Sequence, residues 1–198
     1  MNEDWVAFFD GTEDRDLRPF FERATQAAGP PPADGVALEL GCGSGIETLA
    51  LLRAGWRVTA MDASAEGIRR TQARAVEAGL ADRLTAQAAT FETYVPTPAD
   101  FVYAGASLPF CDPAAFPRVW DGIRGALRPG GLLAVHLFGV NDTWADQPAM
   151  NFHTAAGARA LVDGLELVRF EEDENDGDSF MGPKHWHTFE VFARRPGQ

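Results

Sequence analysis

The sequence predicts an α/β protein, built as a doubly wound and mostly parallel sheet with helices on both faces. Short apolar runs alternate with stretches of helical periodicity over most of the 198 residues. A glycine-rich loop follows the first apolar run, and an acidic residue ends the second. Parallel neighbours must be joined by crossover connections, usually helices, so this alternation favours a parallel sheet.

Each predicted element has its own local signal. The predicted strands of the main body lie at residues 36–40, 57–61, 83–88, 101–104 and 132–138. Two helices are predicted at residues 44–54 and 64–78. A third opens at residues 112–113, has Leu127 in its apolar stripe and stops at Pro129. Gly55 and Gly79 stand where helices commonly end, and Ser64 is a typical N-cap.

The C-terminal part is predicted to form a hairpin that closes the sheet. Its strands are expected near residues 165–170 and 187–193, on either side of the acidic run 171–178, which is interpreted as a solvated loop. A strand that returns through a loop must run antiparallel to its neighbour.

Charge and composition exclude several classes of function. The formal net charge is −12, with 29 acidic against 17 basic residues, which disfavours nucleic acid and anionic membranes as partners. No apolar stretch approaches the roughly 20 residues of a membrane span, and the acidic N-terminus does not resemble a signal peptide. We therefore expect a cytoplasmic protein.

The strongest motif is Glu-Leu-Gly-Cys-Gly-Ser-Gly at residues 39–45, between the first strand and its helix. Glycines allow a sharp turn and a close ligand approach, and the helix N-terminus offers free N–H groups. Asp62 ends the second strand, where a carboxylate can accept hydrogen bonds from both ribose hydroxyls. Two alternatives are a purely packing role for the glycines and a dinucleotide fold of the NAD type. The latter requires glycine where Ile46 stands.

These motifs, with Leu-Arg-Pro-Gly-Gly-Leu-Leu at residues 127–133, resemble class I S-adenosylmethionine-dependent methyltransferases. The resemblance covers about residues 34–138 and implies a Rossmann-like sheet of order 3-2-1-4-5-7-6 with strand 7 antiparallel. More loosely, the chain is similar to small bacterial methyltransferases of the tellurite-resistance and thiopurine type. The implied cofactor is S-adenosylmethionine, and the implied product is S-adenosylhomocysteine.

The resemblance also implies a set of cofactor-binding residues. They are Gly41, Cys42, Gly43, Gly45, Asp62, Ala63, Ser64, Thr90, Phe91 and Ala104. Asp62 would hold the ribose, and Ala63 and Ser64 would lie near the adenine. Thr90 and Phe91 match the family's adenine-contacting pair loosely, and a core position is the alternative for Phe91.

A single domain over residues 1–198 is expected, divided into three parts. Residues 1–33 resemble the aromatic lid of such enzymes, 34–138 form the donor-binding core, and 139–198 complete the sheet as a hairpin.

The acceptor is expected above the carboxyl ends of the strands, where ligands of open α/β sheets bind. Candidate acceptor-binding residues converge there from three segments: Trp5, Phe8, Phe9, Arg18, Tyr103, Ser107, Phe110, Lys184 and Trp186. The fourth strand ends in Ala104-Gly-Ala-Ser107, which lacks both the Asn/Asp-Pro-Pro-aromatic motif of nucleic-acid amino-methylating enzymes and any metal-binding acid. A metal-free enzyme acting on a small molecule is therefore predicted.

His185 and His187 are the candidate catalytic residues, because a histidine of near-neutral pKa is a natural general base. Strand periodicity predicts that both lie on one face, with Trp186 on the other. The alternative is a structural role in which they hydrogen-bond nearby loops. His136 is expected in the core.

The sequence thus predicts methyl transfer to an O, N or S nucleophile of a small molecule by direct displacement. Two alternatives remain open: a methyltransferase acting on a peptide or protein, and a cofactor-binding protein without catalysis.

Overall fold

The computed structural model describes residues 2–197, with side chains from Trp5 onward. Seven strands form one sheet in the order β3-β2-β1-β4-β5-β7-β6. The strands are β1 Val36–Leu40, β2 Arg57–Asp62, β3 Leu84–Ala88, β4 Ala99–Ala104, β5 Leu127–Phe138, β6 Glu166–Ser179 and β7 Gly182–Arg194. Strands β1 to β5 pair in parallel, and β7 is antiparallel to both β5 and β6. The predicted fold class, strand order and direction of β7 are confirmed.

Helices cover both faces of this sheet. They are α1 Asn2–Gly11, α2 Pro19–Ala28, α3 Ile46–Arg53, α4 Ala65–Glu77, α5 Phe116–Ala126 and α6 Ala155–Ala160. As predicted, the Ser64 hydroxyl caps α4 by accepting from the Gly67 N–H at 3.2 Å. None of the helices within residues 2–197 has the length and apolarity that crossing a membrane requires.

The hydrophobic core has one part on each face of the sheet. Helices α5 and α6 pack on one face, with Trp120 and Ile123 fully buried. Helices α2, α3 and α4 pack on the other, through Phe20, Leu51 and Ile68. Because successive strand residues point to opposite faces, each central strand contributes to both parts.

The interpretation of residues 171–178 as a loop is wrong, because they lie within β6 and pair with β7 along their whole length. Acidic side chains are tolerated here since β6 is the edge strand, with one side open to water. These acids also have cross-strand neighbours: Glu174 lies opposite His187, and Asp176 lies opposite His185.

The boundaries of the helix predicted from residue 112 also differ. Asp112 begins a turn in which its carboxylate accepts from the Ala114 N–H at 2.8 Å, and α5 starts only at Phe116, with a proline in its first turn. Leu127, placed in the helix by its apolar spacing, is instead the first residue of β5 and pairs with Ala99 of β4.

Candidate active site

The glycine loop between β1 and α3 has the backbone that its sequence predicts. Gly41 and Gly43 have φ angles of 79° and 54°, in the left-handed region that other residues rarely adopt. A Cβ added at Gly41 would lie 2.3 Å from the Cβ of Ser107, so the loop after β4 packs directly on it. The Ser107 hydroxyl donates to the Leu40 carbonyl at 2.5 Å. The ends of β1 and β4 are thereby held together.

Asp62 lies at the end of β2, facing this loop. One carboxylate oxygen accepts from the Gly43 N–H and the other from the Ser64 N–H, each at 2.8 Å. Burial raises the pKa of Asp62, and these two N–H groups oppose the rise. Each oxygen keeps a lone pair that can accept from a bound hydroxyl.

The other predicted cofactor residues surround the same edge. The Ala89 N–H donates to the Asp62 carbonyl at 2.9 Å, which brings the end of β3 beside β2. Thr90 is exposed there, whereas Phe91 is half-buried and packs against the core on the α5 face. Ala104 is fully buried at the end of β4. The packing of Phe91 supports its alternative as a core residue, and its contact with adenine stays a prediction.

The N-terminal helix α1 lies directly over the glycine loop. Phe9 is 3% exposed, and a Cβ added at Gly43 or Gly67 would lie 3.2 Å from its ring. Two contacts hold the end of α1 to α4: Arg70 pairs with Asp10 at 2.6 Å, and Arg74 donates to the Glu13 carbonyl at 3.1 Å. Helix α1 therefore covers the glycine loop, and its role as a lid stays a prediction.

Aromatic contacts run from α1 to the loop after β4, to the end of β5 and to the turn between β6 and β7. Trp5 lies edge-on to Phe110 with ring centroids 5.1 Å apart, and Phe110 lies 6.4 Å from Phe138 at the end of β5. Phe8 contacts Phe180 at 5.6 Å. Phe180 occupies the turn between β6 and β7, so the hairpin reaches back to α1. Phe180 could not be singled out from the sequence, because the acidic run 171–178 was interpreted as a loop rather than as a strand that extends toward α1.

Arg18 and Tyr103 contact residues of the protein rather than an open cleft. Arg18 and Arg15 both pair with Glu47 in the first turn of α3, and the Arg18 distance is 2.9 Å. Burial opposes ionisation of Glu47, but the two arginines lower its pKa below its ordinary value. Tyr103 is 2% exposed and lies directly opposite Glu39 on β1. Neither glutamate was singled out from the sequence.

Lys184, the only lysine, is enclosed by aromatic rings. Its ammonium lies 3.5 Å from the Trp144 centroid, 3.8 Å from that of Trp186 and 4.9 Å from that of Phe138. It also lies 2.6 Å from the Asp142 carboxylate, and the two side chains are 1% and 0% exposed. Lys184 and Trp186 therefore join β7 to the loop after β5, and their contact with an acceptor stays a prediction.

His185 and His187 share one face of β7, with Trp186 on the other, as predicted. The His187 Nδ1 accepts from the Asn141 N–H at 3.0 Å, and its Nε2 lies 3.0 Å from Glu172. The His185 Nδ1 lies 2.8 Å from Asp176 and its Nε2 3.3 Å from Glu174, and these acids raise the pKa of His185. All four ring nitrogens thus have partners within the protein. Their catalytic role stays a prediction, and these contacts support the structural alternative.

Glu172, Glu174 and His187 form the one group of possible metal ligands found within the described residues, with ligand atoms within 4.8 Å of one another. Because the His187 Nδ1 accepts a backbone hydrogen bond, the ring proton must reside on Nε2. A protonated nitrogen has no lone pair for a metal. The hydrogen bonding of His187 therefore opposes a metal at this position.

A glycine loop and a strand-end acid at the switch point of a doubly wound sheet define a nucleotide-binding α/β protein. Residues 37–131 match a family model described as "Methyltransferase domain". The matched region contains the glycine loop, Asp62 and the end of β4. No curated protein is matched by the sequence.

Three solved structures share this fold, and the descriptions of two of them name a putative methyltransferase. TehB from Haemophilus influenzae is similar with a TM-score of 0.80 and 14% identity, over 97% of this chain and 67% of that one. A putative sarcosine dimethylglycine methyltransferase from Galdieria sulphuraria gives 0.73 and 15%, over 98% of each chain. A Haloferax volcanii complex of the Trm112 methyltransferase activator with a putative methyltransferase gives 0.72 and 18%, over 99% and 96%.

The methyltransferase-domain match over residues 37–131 and the strand order agree with the expected resemblance to class I S-adenosylmethionine-dependent methyltransferases. The cofactor that such a domain implies is S-adenosylmethionine.

Proposed function

We propose that the protein transfers a methyl group from S-adenosylmethionine to an O, N or S nucleophile of a small molecule. The observation that supports the small-molecule class is the position of α1 over the glycine loop, which we interpret as a closed lid. Phe9 covers the glycine loop, and Phe8 joins α1 to the hairpin turn through Phe180. A covered site suits an acceptor that is enclosed on binding, whereas a peptide chain needs an open cleft.

The residues of the loop fit the proposed donor. The backbone of Gly41 and Gly43 has the left-handed conformation of a tight ligand-binding turn, and the free lone pairs of Asp62 are suited to two ribose hydroxyls. When bound, S-adenosylmethionine supplies an activated methyl group. The protein's part is to align donor and acceptor and to exclude water, and positioning alone contributes several kcal/mol. We propose Gly41, Gly43, Asp62 and Ala104 as the centre of the donor site.

Two other functions remain as alternatives, with distinct expectations. A peptide or protein methyltransferase requires α1 to move away from the loop. One structural neighbour, a putative methyltransferase, was solved in complex with an activator protein. A binding protein without catalysis requires only the donor site. We further propose a cytoplasmic location and neither nucleic acid nor anionic membrane as a partner, on the basis of the net charge of −12.

Two measurements test the proposal. Calorimetry with S-adenosylhomocysteine tests donor binding, and methyl transfer by the isolated protein to a panel of small phenols, amines and thiols tests the acceptor class. Transfer to at least one panel member supports the proposal. Transfer only to peptides, or donor binding without any transfer, would establish one of the alternatives instead.

Turnover is expected to be independent of metal ions. The end of β4 carries Ala104 rather than an acid, and the hydrogen bonding of His187 opposes metal binding on the hairpin. Activity on an identified acceptor should therefore be unchanged in EDTA. Loss of activity with EDTA and recovery with magnesium would show that a metal site exists elsewhere at this edge.

Replacing His187 by alanine is expected to reduce stability and to leave turnover within a few-fold of the original. Both of its nitrogens bind the protein itself, and the ring packs against Gly139. Thermal midpoint and rate should be measured on the same preparations of His187→Ala and His185→Ala. A fall in rate of about 10²–10⁴-fold in either folded variant, the usual effect of losing a general base, would instead assign catalysis to that histidine.

A further inference from the structure

The hydroxyl of Tyr103 is a buried polar group that lacks a partner. Tyr103 is 2% exposed, and its Oη makes no hydrogen bond with any residue that the structure describes. An unsatisfied buried donor costs free energy that a ligand can recover by accepting from it. The hydroxyl is therefore a candidate for contact with a bound molecule.

The position of this hydroxyl limits what can reach it. On the helix side the Tyr103 ring is covered by Phe20 and Phe21, with centroids 5.5 and 5.2 Å away. At the end of β4, a Cβ added at Gly105 would lie 2.3 Å from the Oη atom. The hydroxyl thus reaches the carboxyl end of β4, next to Ala104 and across from the glycine loop.

Charged groups of both signs act on Tyr103: burial raises the pKa of its hydroxyl, Glu47 and Glu39 add to the rise, and Arg18 and Arg15 oppose it. Glu47 is paired with both Arg15 and Arg18, which leaves one positive charge in excess. Burial raises the pKa of Glu39 to about 8, which reduces its negative charge near neutral pH. Arg18 contacts Glu47 through Nη1 alone, and a guanidinium carries further N–H donors.

We propose, on the basis of the donor site assigned above, that the Tyr103 hydroxyl binds the amino-acid end of S-adenosylmethionine by donating a hydrogen bond to its carboxylate. The methionine part is the portion of the donor that bears a carboxylate, and it must lie on the β4 side if Asp62 holds the ribose at the end of β2. Tyr103 is then a positioning residue for the donor rather than part of the acceptor site.

The experiment compares two ligands that differ at this end. S-adenosylhomocysteine has the carboxylate, whereas 5′-methylthioadenosine keeps the adenosine and sulfur but lacks the amino-acid part. Calorimetry with Tyr103→Phe should show affinity for S-adenosylhomocysteine reduced about tenfold or more, the usual effect of losing a hydrogen bond to a charged group. Affinity for 5′-methylthioadenosine should stay within twofold of wild type.

Tyr94→Phe is the matched control. Tyr94 is also buried, at 7% exposure, with a hydroxyl that lacks a partner among the described residues, but it packs on the α5 face of the core. This variant should bind both ligands as the wild type does. The thermal midpoint of ligand-free Tyr103→Phe should be equal to or above that of wild type, because phenylalanine removes the unpaired hydroxyl.

A second variant, Gly105→Ala, keeps the hydroxyl but must displace it, because the added Cβ would lie 2.3 Å from the Tyr103 Oη. It should also weaken binding of S-adenosylhomocysteine selectively. Unchanged affinity in Tyr103→Phe, or equal losses for both ligands, would overturn the assignment of Tyr103 while leaving the donor site intact. Wild-type protein that binds neither ligand would overturn the donor site itself and, with it, this role of Tyr103.

Discussion

Alanine at position 62 is expected to reduce affinity for S-adenosylhomocysteine by about 10²-fold or more. Two ribose hydroxyls would lose a carboxylate acceptor, and each hydrogen bond to a charged group contributes about 1.5–3 kcal/mol. The loss also frees the Gly43 and Ser64 N–H groups that Asp62 now holds at 2.8 Å. The glycine loop would therefore lose its geometry together with its ligand contact. The affinity measured by calorimetry includes both effects.

Asp100→Ala separates the ligand contact from general loss of stability. Asp100 lies near the amino end of β4, where its carboxylate accepts from the Val36 N–H at 2.9 Å and pairs with Arg128 at 2.7 Å. Its removal should lower the thermal midpoint but leave donor affinity unchanged. Undiminished affinity in a folded Asp62→Ala protein would remove Asp62 from the donor site.

The donor half of the protein could be predicted from the sequence because its signals are local. The left-handed turns of the loop require glycine, and the acid of β2 follows its apolar run directly, so Gly41, Gly43 and Asp62 are visible without knowledge of the fold. Strand order followed from the resemblance that these motifs carry. The loop geometry agrees with the glycine pattern, whereas the hydrogen bonds of Asp62 to the Gly43 and Ser64 N–H groups were not predicted. Its contact with the ribose stays a prediction.

The acceptor half was predicted less well because its contacts join distant parts of the chain. The prediction that the start of β7 lies at the carboxyl edge of the sheet was correct. That prediction did not identify the partners of its side chains. Arg18 binds Glu47, 29 residues away, and Lys184 binds Asp142. Charged groups that become buried take partners of opposite charge, and those partners had no motif to mark them.

The acidic part of β6 was not predicted as a strand for a similar reason. An acidic run has low strand propensity on its own, and its pairing with β7 depends on cross-strand contacts such as Glu174 with His187. That pairing extends the hairpin to Phe180, which contacts Phe8 of α1. Because residues 171–178 were interpreted as a loop, this contact could not be predicted.

Lys184→Met is expected to reduce the free energy of unfolding by about 3–5 kcal/mol, the usual cost of removing one member of a buried ion pair. The Asp142 side chain is 0% exposed and would lose the ammonium 2.6 Å away, with no water to replace it. At roughly 2–4 °C per kcal/mol for a chain of this size, the thermal midpoint should fall by about 10 °C. Arg74→Met is the control, since its pair with Glu13 is partly exposed and such pairs contribute about 0–1 kcal/mol.

The double variant Lys184→Met with Asp142→Asn is expected to recover much of the loss. Burial lowers the pKa of Lys184, and the bond to Asp142 opposes this only in part, so the charged pair itself adds little net stability. Thermal melts of the two single variants and the double variant measure the coupling. Additive losses would show that the aromatic rings around Lys184, rather than Asp142, stabilise its ammonium.

The lowered pKa of Lys184 also predicts a pH dependence of stability. In the alkaline range below pH 10.5 the unfolded chain binds more protons than the folded one. The free energy of unfolding of the wild type should therefore rise with pH in this range.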